Sequence, residues 1–275
     1  MSQIPGRPVL LTGASGALGR QLARHLAGLG WSLRLSDIAP FPDPVPAGCS
    51  FAQVDLADGM AVLRLAEGCG TILHFGGVSV ERPFAEIIGP NISGLYHIYE
   101  AARREGARVL FASSNHAVGF HERTTKLDHD CTLMPDGYYG LSKAYGELMG
   151  QMYWLKHGVE NVNVRIGSSM PEPREARMLS TWLSYADLCR LCERATLAEK
   201  TESIVIWGAS ANTRSFWGRD ARDVIGWQPL DSADPRTAEL EGKTSGNPVI
   251  ERYQGGGFTL IDRTRPDIAA RLRDH

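Results

Sequence analysis

Seven residues near the start of the chain constrain it more than any others. Gly13-Ala14-Ser15-Gly16-Ala17-Leu18-Gly19 follows the apolar run Val9-Leu10-Leu11-Thr12. After it, Leu18, Leu22, Leu26 and Leu29 recur at helical spacing until Gly30. The order is that of a buried strand turning through glycines directly into a helix. Glycines in such a turn leave the backbone bare, so a pyrophosphate can lie against it and against the open N–H groups of the helix start. The G-x-x-G-x-x-G spacing alone is a weak signal, and its setting strengthens it. The next predicted strand, Trp31 to Leu35, leads to Asp37, where a carboxylate can accept hydrogen bonds from the ribose of a dinucleotide. The same carboxylate repels a 2′-phosphate, and its neighbours Ser36 and Ile38 bring no cation, which favours NAD over NADP. The other reading of Asp37 is an ordinary turn residue.

The remaining pattern alternates in the same way. Strands are predicted at Phe51 to Val54, Thr71 to Phe75, Val109 to Ala112, Val162 to Ile166 and Ile204 to Trp207. Helices are predicted at Gly59 to Glu67, Ile87 to Glu105, Tyr139 to His157 and Tyr185 to Ala198. Alternation at this spacing implies parallel β-α-β units and an α/β fold, a Rossmann-type doubly wound parallel sheet. Pro40 to Gly48 reads as a loop, and a loop of about 25 residues rich in His, Asp and Thr follows the strand at Val109; loops of that length tend to be functional. Asp55, ending the third strand, can reach an adenine edge or cap a helix, and the sequence leaves both open. After Gly167 the alternation becomes irregular. We therefore expect a dinucleotide-binding core over 1–167, and over 168–275 a small substrate-side cap and C-terminal segment folded onto it, in one compact domain.

Composition narrows the class. The net charge is −2, without the positive excess that would track nucleic acid or an anionic membrane surface. No run approaches the ~18 apolar residues of a membrane span, and Met1 to Pro8 lacks the apolar stretch of a secretion signal. Five cysteines are an odd, sparse set, which points to a reduced, cytoplasmic protein.

A second motif carries the chemistry. Tyr139-Gly140-Leu141-Ser142-Lys143 places a phenol and an ammonium at i and i+4 on one helix face. The expectation is that the ammonium lowers the phenol's pKa from its usual value near 10, so that Tyr139 can act as general base in an alcohol oxidation while Lys143 also holds a ribose. Ser114 ends a buried strand, where its hydroxyl can hydrogen-bond the reacting oxygen or cap the next turn. Asn115 and His116 follow at the carboxyl edge of the sheet, where α/β ligands bind; a solvated polar pair is the alternative.

Gly13-x-x-Gly16-x-x-Gly19, Asn91-Ile-Ser-Gly94, Ser113-Ser114 and Tyr139-x-x-x-Lys143, in that order, resemble the extended short-chain dehydrogenase/reductase family, which includes NAD-dependent epimerases and dehydratases. His74-Phe-Gly-Gly-Val-Ser-Val-Glu-Arg-Pro83, Ser113-Ser-Asn-His116, Arg165-Ile-Gly-Ser168, Arg177-Met-Leu-Ser-Thr-Trp182 and Trp207-Gly-Ala-Ser-Ala-Asn212 are more closely similar to the bacterial uronate dehydrogenases. The resemblance implies NAD-dependent oxidation of D-glucuronate and D-galacturonate at the anomeric carbon, giving the aldarolactone, and a homo-oligomer. It implies Ser114, Tyr139 and Lys143 as the catalytic set. It implies Gly13, Ser15, Gly16, Ala17, Leu18, Gly19, Asp37, Asp55, Leu56, Gly76, Asn91 and Ile166, with Tyr139 and Lys143, around the cofactor. For the substrate it implies Ser79, Ser114, Asn115, His116, Tyr139, Ser168 and Arg177.

A uronate differs from a neutral sugar by one carboxylate, which calls for a cation in the pocket, and the planar fork of arginine suits it. Arg82, Arg174 and Arg177 lie near the right strand ends, and the resemblance selects Arg177. Cys189-x-x-Cys192 falls within a predicted helix and has no second ligand pair, so it reads as apolar packing; no metal site is expected. The tryptophans Trp182, Trp207, Trp217 and Trp227 read as packing of the last third, with sugar stacking as the alternative. Two other functions remain open on the sequence. A nucleotide-sugar epimerase or dehydratase would share every cofactor residue, and a non-catalytic NAD-sensing protein would share the glycine loop. The first is disfavoured by the short segment after Lys143, the second by the intact Ser114, Tyr139 and Lys143. The tail from Arg263 to His275 matches no motif.

Overall fold

Seven parallel strands run in the order β3-β2-β1-β4-β5-β6-β9 in the computed structural model, which describes residues 3–264. The strands are β1 (Val9–Thr12), β2 (Leu33–Asp37), β3 (Ser50–Gln53), β4 (Thr71–His74), β5 (Arg108–Ser114), β6 (Asn161–Ile166) and β9 (Ser203–Gly208); β7 (Ser168–Ser169) and β8 (Trp182–Leu183) pair separately. Helices α1 (Ala17–Gly28), α2 (Gly59–Ala66), α3 (Phe84–Ile87), α4 (Gly94–Glu105), α5 (Tyr138–His157), α6 (Met178–Thr181) and α7 (Tyr185–Leu197) complete the main elements. The chain winds outward from β1 in one direction and from β4 in the other. The carboxyl ends of β1 and β4 therefore form the crevice where open α/β sheets bind ligands.

The strands read as continuous apolar runs because both faces of the sheet are covered. Val9 and Leu11 pack in the layer of α1 and α7 with Leu22, Leu26, Leu188 and Leu191. Leu10 and Ile72 pack in the layer of α2, α4 and α5 with Val62, Leu95 and Tyr153. Period-two alternation thus serves two cores at once. No helix among the described residues is long and apolar enough to cross a membrane.

Two features depart from the sequence pattern. The single helix predicted from Ile87 to Glu105 is three pieces, α3, a π-helical turn over Ile88–Ser93, and α4. Pro90 has no N–H for the ladder, and the widened turn brings Asn91 inward, where it is buried. The residues after Gly167 also contribute to the sheet itself, since α7 and β9 supply its last strand and part of one covering layer. Cys189 and Cys192 lie in that layer, and burial pushes both thiols up. The tail that begins at Arg263 lies outside the described residues from 265 onward.

One buried ion pair ties α5 to the sheet. Arg165 of β6 donates Nη2 to Glu147 Oε2 at 2.8 Å and Nε to Oε1 at 3.0 Å, with the two side chains 3% and 5% exposed. Ser113 of β5 donates to the same carboxylate at 2.6 Å. Arg165 Nη1 reaches the His129 carbonyl in the long loop, and its guanidinium lies 4.9 Å over the Trp207 ring. Trp207 and Trp217 stack on each other at 4.9 Å, Trp182 donates to the Met170 carbonyl, and Trp227 is buried in the α1–α7 layer, so these four rings pack the protein interior. Breaking a buried pair strands the remaining charge. Arg165→Ala should therefore lower the unfolding free energy by about 3–5 kcal/mol, and Arg165→Met combined with Glu147→Leu should restore much of that loss in urea titrations.

Candidate active site

A cleft of about 450 Å³ opens at the carboxyl ends of β1, β2 and β4. Its floor is the glycine turn. Gly13 has φ +71°, and a side chain there would run into the Phe75 carbonyl, while one at Gly19 would strike the Gly13 carbonyl oxygen. Gly16 is the N-cap of α1, with no side-chain cap and no acid in the first turn. Gly16 N–H is taken by the Gly13 carbonyl at 3.2 Å, and the N–H groups of Ala17 and Leu18 belong to a helix start without a side-chain cap, open to an anion. Asp37 Oδ2 accepts from Ser15 N at 2.9 Å, and Oδ1 accepts from Ala39 N at 3.0 Å. The residue is a turn former and a wall of the cleft together. Asp55 also lines the cleft and accepts from Ala57 N at 2.9 Å, whereas the cap of α2 is Asp58. Leu56 and Gly76 line the same space, and Ser79, placed by the sequence with the substrate, sits exposed at its rim. A bare backbone turn, an open helix start and a carboxylate at the end of β2 fit a dinucleotide.

Beyond that cleft stands the amino end of α5. Tyr139 and Lys143 are both buried. The structure corrects the expected electrostatics of this pair. Burial pushes the Tyr139 phenol up to about 12; the Ser114 hydroxyl beside it pulls the other way and the Asp136 carboxylate adds to the rise. The Lys143 ammonium donates to the Ala112 carbonyl at 2.8 Å and lies 5.5 Å from the Tyr139 ring centre. Its own pKa is pushed down to about 8, because burial opposes its charge. The i,i+4 spacing brings the two side chains together as read, but burial, the largest cause for each, drives both toward the neutral form.

Asn91, delivered by the π-helical turn, clasps Val78 through both backbone groups at 2.7 and 2.9 Å and donates to Ser142 Oγ at 2.9 Å; Ser142 in turn donates to the Tyr139 carbonyl at 2.7 Å. A chain of hydrogen bonds thus links the loop after β4 to the Tyr139 backbone.

The third part of the site is a cation. Arg177 donates Nε to the Gln254 carbonyl at 2.7 Å and Nη1 to Ser168 Oγ at 3.3 Å. With its amide turned to satisfy both ends, Asn115 accepts from Arg177 Nη2 at 2.7 Å and donates to the Ile166 carbonyl at 3.1 Å. Among the described residues Arg177 makes no ion pair, and burial pushes its pKa down to about 10. Arg82 is exposed beside Glu86 at 4.0 Å, and Arg174 is exposed. His116 faces Tyr139 edge-on at 5.8 Å, which brings the Asn115–Arg177 group and the phenol into one cluster.

Four contributors were not singled out by motif. Glu81 accepts from Tyr138 N and Tyr139 N, both at 2.8 Å, and so caps α5, whose N-cap Gly137 offers no side chain. Asp136 receives His116 Nδ1, Gln254 holds Arg177, and Phe258 stacks on His116. Asp136 had a signal, since an acid ending a long loop before a helix often has a local task; Gln254 and Phe258 come from a Gly-rich stretch without periodicity.

A profile of the NAD dependent epimerase/dehydratase family matches residues 9–225. A uronate dehydrogenase of Pseudomonas syringae pv. tomato is 47% identical over 94% of each chain. The chain belongs to the NAD dependent epimerase/dehydratase family. Within it, solved relatives share the whole fold. The glucuronic acid dehydrogenase structure from Chromohalobacter salexigens superposes with a TM-score of 0.87 at 44% identity, covering 92% of this chain and 96% of that one. A Tyr-to-Ala mutant of uronate dehydrogenase from Agrobacterium tumefaciens, complexed with NAD, gives 0.88 at 42% identity, covering 94% and 97%.

Two measurements follow for this family member. Between pH 8 and 10.5 the unfolded chain keeps the lysine proton that buried Lys143 has lost, so Lys143 contributes a rise in stability with pH of at most about 1.4 kcal/mol per unit. Between 10 and 12 the unfolded chain loses the tyrosine proton first, and Tyr139 contributes a fall in stability with pH. In urea titrations the stability of the wild type relative to Lys143→Met should rise across pH 8 to 10.5; a constant difference would remove this account of Lys143. Glu81→Ala should cost about 1–2 kcal/mol as a lost cap and reduce turnover more than NAD affinity.

Proposed function

We propose that this protein oxidises the cyclic hexuronates D-glucuronate and D-galacturonate at C1 with NAD and releases the aldarolactone. It is an NAD-dependent oxidoreductase. The observation that carries the substrate reading is Arg177, a guanidinium without an acidic partner among the described residues, held by Ser168, Asn115 and Gln254 within the cluster that contains Tyr139. Burying a cation without a counter-charge is costly, and a sugar carboxylate would supply that charge in bidentate form.

The remaining roles follow from placement. Bound NAD supplies the hydride acceptor. Gly13, Ser15, Gly16, Ala17, Leu18 and Gly19 would hold its pyrophosphate, Asp37 the adenosine ribose, Asp55 and Leu56 the adenine end, and Gly76, Asn91, Ile166 and Lys143 the nicotinamide end. In its phenolate form, the minor one below a pKa of about 12, Tyr139 takes the proton of the C1 hydroxyl and becomes the phenol again, while Ser114 hydrogen-bonds the same oxygen as its charge develops. Loss of a hydride and a proton from C1 leaves a carbonyl inside an intact ring, which is a lactone. Asn115 and His116 bind ring hydroxyls, with Ser79 at the rim.

We read 1–167 as the cofactor side and 168–275 as the substrate side of one compact domain, although α7 and β9 complete the sheet. A cytoplasmic location is supported by five free cysteines. A homo-oligomer is supported by Leu141, Leu148 and Leu155, exposed at seven-residue spacing along α5.

Mixing the protein with NAD and either uronate should generate NADH, while glucose, galactose and UDP-glucose should not; NADH from the nucleotide sugar alone would replace this reading. Tyr139→Phe should lower turnover about 10²–10⁴-fold with NAD affinity nearly intact. Arg177→Leu should cost about 2–5 kcal/mol in kcat/KM for uronates, collapsing their advantage over glucose.

A further inference from the structure

Asp136 closes the long loop just before α5, and its side chain is completely buried. Oδ2 accepts a hydrogen bond from His116 Nδ1 at 2.7 Å. Oδ1 is buried with no hydrogen-bond partner. A carboxylate in such a position costs free energy that ordinary packing would avoid. The surrounding chain nevertheless makes room for it. A side chain at Gly119 or at Gly255 would run into Oδ2, and one at Gly140 would lie 3.0 Å from Oδ1. Three segments far apart in sequence thus give up side chains around one carboxylate.

The histidine is constrained on every other side. Its ring lies face to face with Phe258, 3.9 Å between centres and 15° between planes, and edge-on to Tyr139. Its backbone N–H donates to Ser114 Oγ at 3.2 Å. An ionised carboxylate can only accept, so Nδ1 must carry the hydrogen, and Nε2 is the nitrogen left to meet the site.

We propose that Asp136 is a positioning residue for the hexuronate: it holds the hydrogen on His116 Nδ1 and the ring against Phe258, so that Nε2 faces the sugar. The inference rests on the hexuronate reading above and adds to it a residue that reaches the sugar through His116, besides its smaller charge effect on the Tyr139 phenol. An amide in place of the carboxylate cannot reproduce this. It must either turn its NH₂ toward Nδ1, which forces the hydrogen onto Nε2, or bury the NH₂ where Oδ1 has no partner.

The test is a double-mutant cycle on glucuronate oxidation, with NAD affinity and thermal midpoint measured beside it. Asp136→Asn should raise KM for glucuronate tenfold or more, change kcat less, and leave NAD affinity unmoved. His116→Ala should do at least as much, and the double variant should be no worse than His116→Ala alone. An unchanged KM in Asp136→Asn, or effects that multiply in the double variant, would overturn the proposal. Should Asp136→Asn fold poorly, the wild-type protein labelled with ¹⁵N-histidine answers directly, with His116→Gln used to assign the signal. A hydrogen on Nδ1, with or without one on Nε2, supports the proposal; a neutral ring with its hydrogen on Nε2 alone sinks it. This spectrum needs no turnover, so a wild-type protein inactive on both uronates would remove the functional reading while the tautomer still decides the Asp136–His116 contact.

Discussion

Helix α5 carries an unusual load of buried polar side chains, and the need to satisfy them sets where it lies. Ser142, Lys143 and Glu147 are all buried on the face that meets the sheet. Each has one place to go: Ser142 between Asn91 and its own helix, Lys143 on the Ala112 carbonyl, Glu147 on Arg165 and Ser113. An apolar helix face can slide by a turn at modest cost, whereas a face of this kind can be satisfied in one register. Replacing the ion pair by well-packed apolar side chains would maintain stability, so its contribution here is best understood as fixing position. Tyr139, two turns before Glu147, stands where it does because the polar groups behind it leave α5 no freedom.

The same logic extends from the helix to the loops. Arg165 donates to the His129 carbonyl and Asp136 holds His116, so the long segment after β5 is pinned by charged groups at both ends. Glu81 reaches from the loop after β4 to the first N–H groups of α5, and Asn91 clasps Val78 in that loop. The wall of the cleft and the Tyr139 backbone are therefore joined by hydrogen bonds. A change at the cofactor side has a short mechanical route to the Tyr139 backbone.

The charge arrangement separates the two halves of the site. The cofactor side presents backbone amides and the Asp37 carboxylate, which suits a pyrophosphate and an unphosphorylated ribose. The other half presents Arg177, whose pKa is pushed down to about 10 by burial and by Arg123, with Glu175, Asp136 and Glu251 pulling the other way. Arg177 is held by Gln254, Ser168 and Asn115 and makes no ion pair among the described residues, and the counter-charge is what the proposed sugar carboxylate would supply.

What the sequence by itself determined was local and periodic. Short continuous apolar runs, leucines at helical spacing and the glycine turn between them specify the strands, α1 and the crevice at β1, because each depends on neighbours within a few residues. The Tyr139–Lys143 pair was legible for the same reason, as i and i+4 share a helix face in any environment. Tertiary structure decided everything that depends on what lies across the fold. It broke the predicted helix at Pro90 and turned Asn91 inward, placed β9 in the sheet and α7 on one of its faces, and reversed the expected shift of the phenol, because desolvation is a property of the whole surround. It also brought Glu81, Asp136, Gln254 and Phe258 to the site from loops without periodicity. No spacing along the chain encodes those contacts, since they form only when strands distant in sequence end at one edge of the sheet.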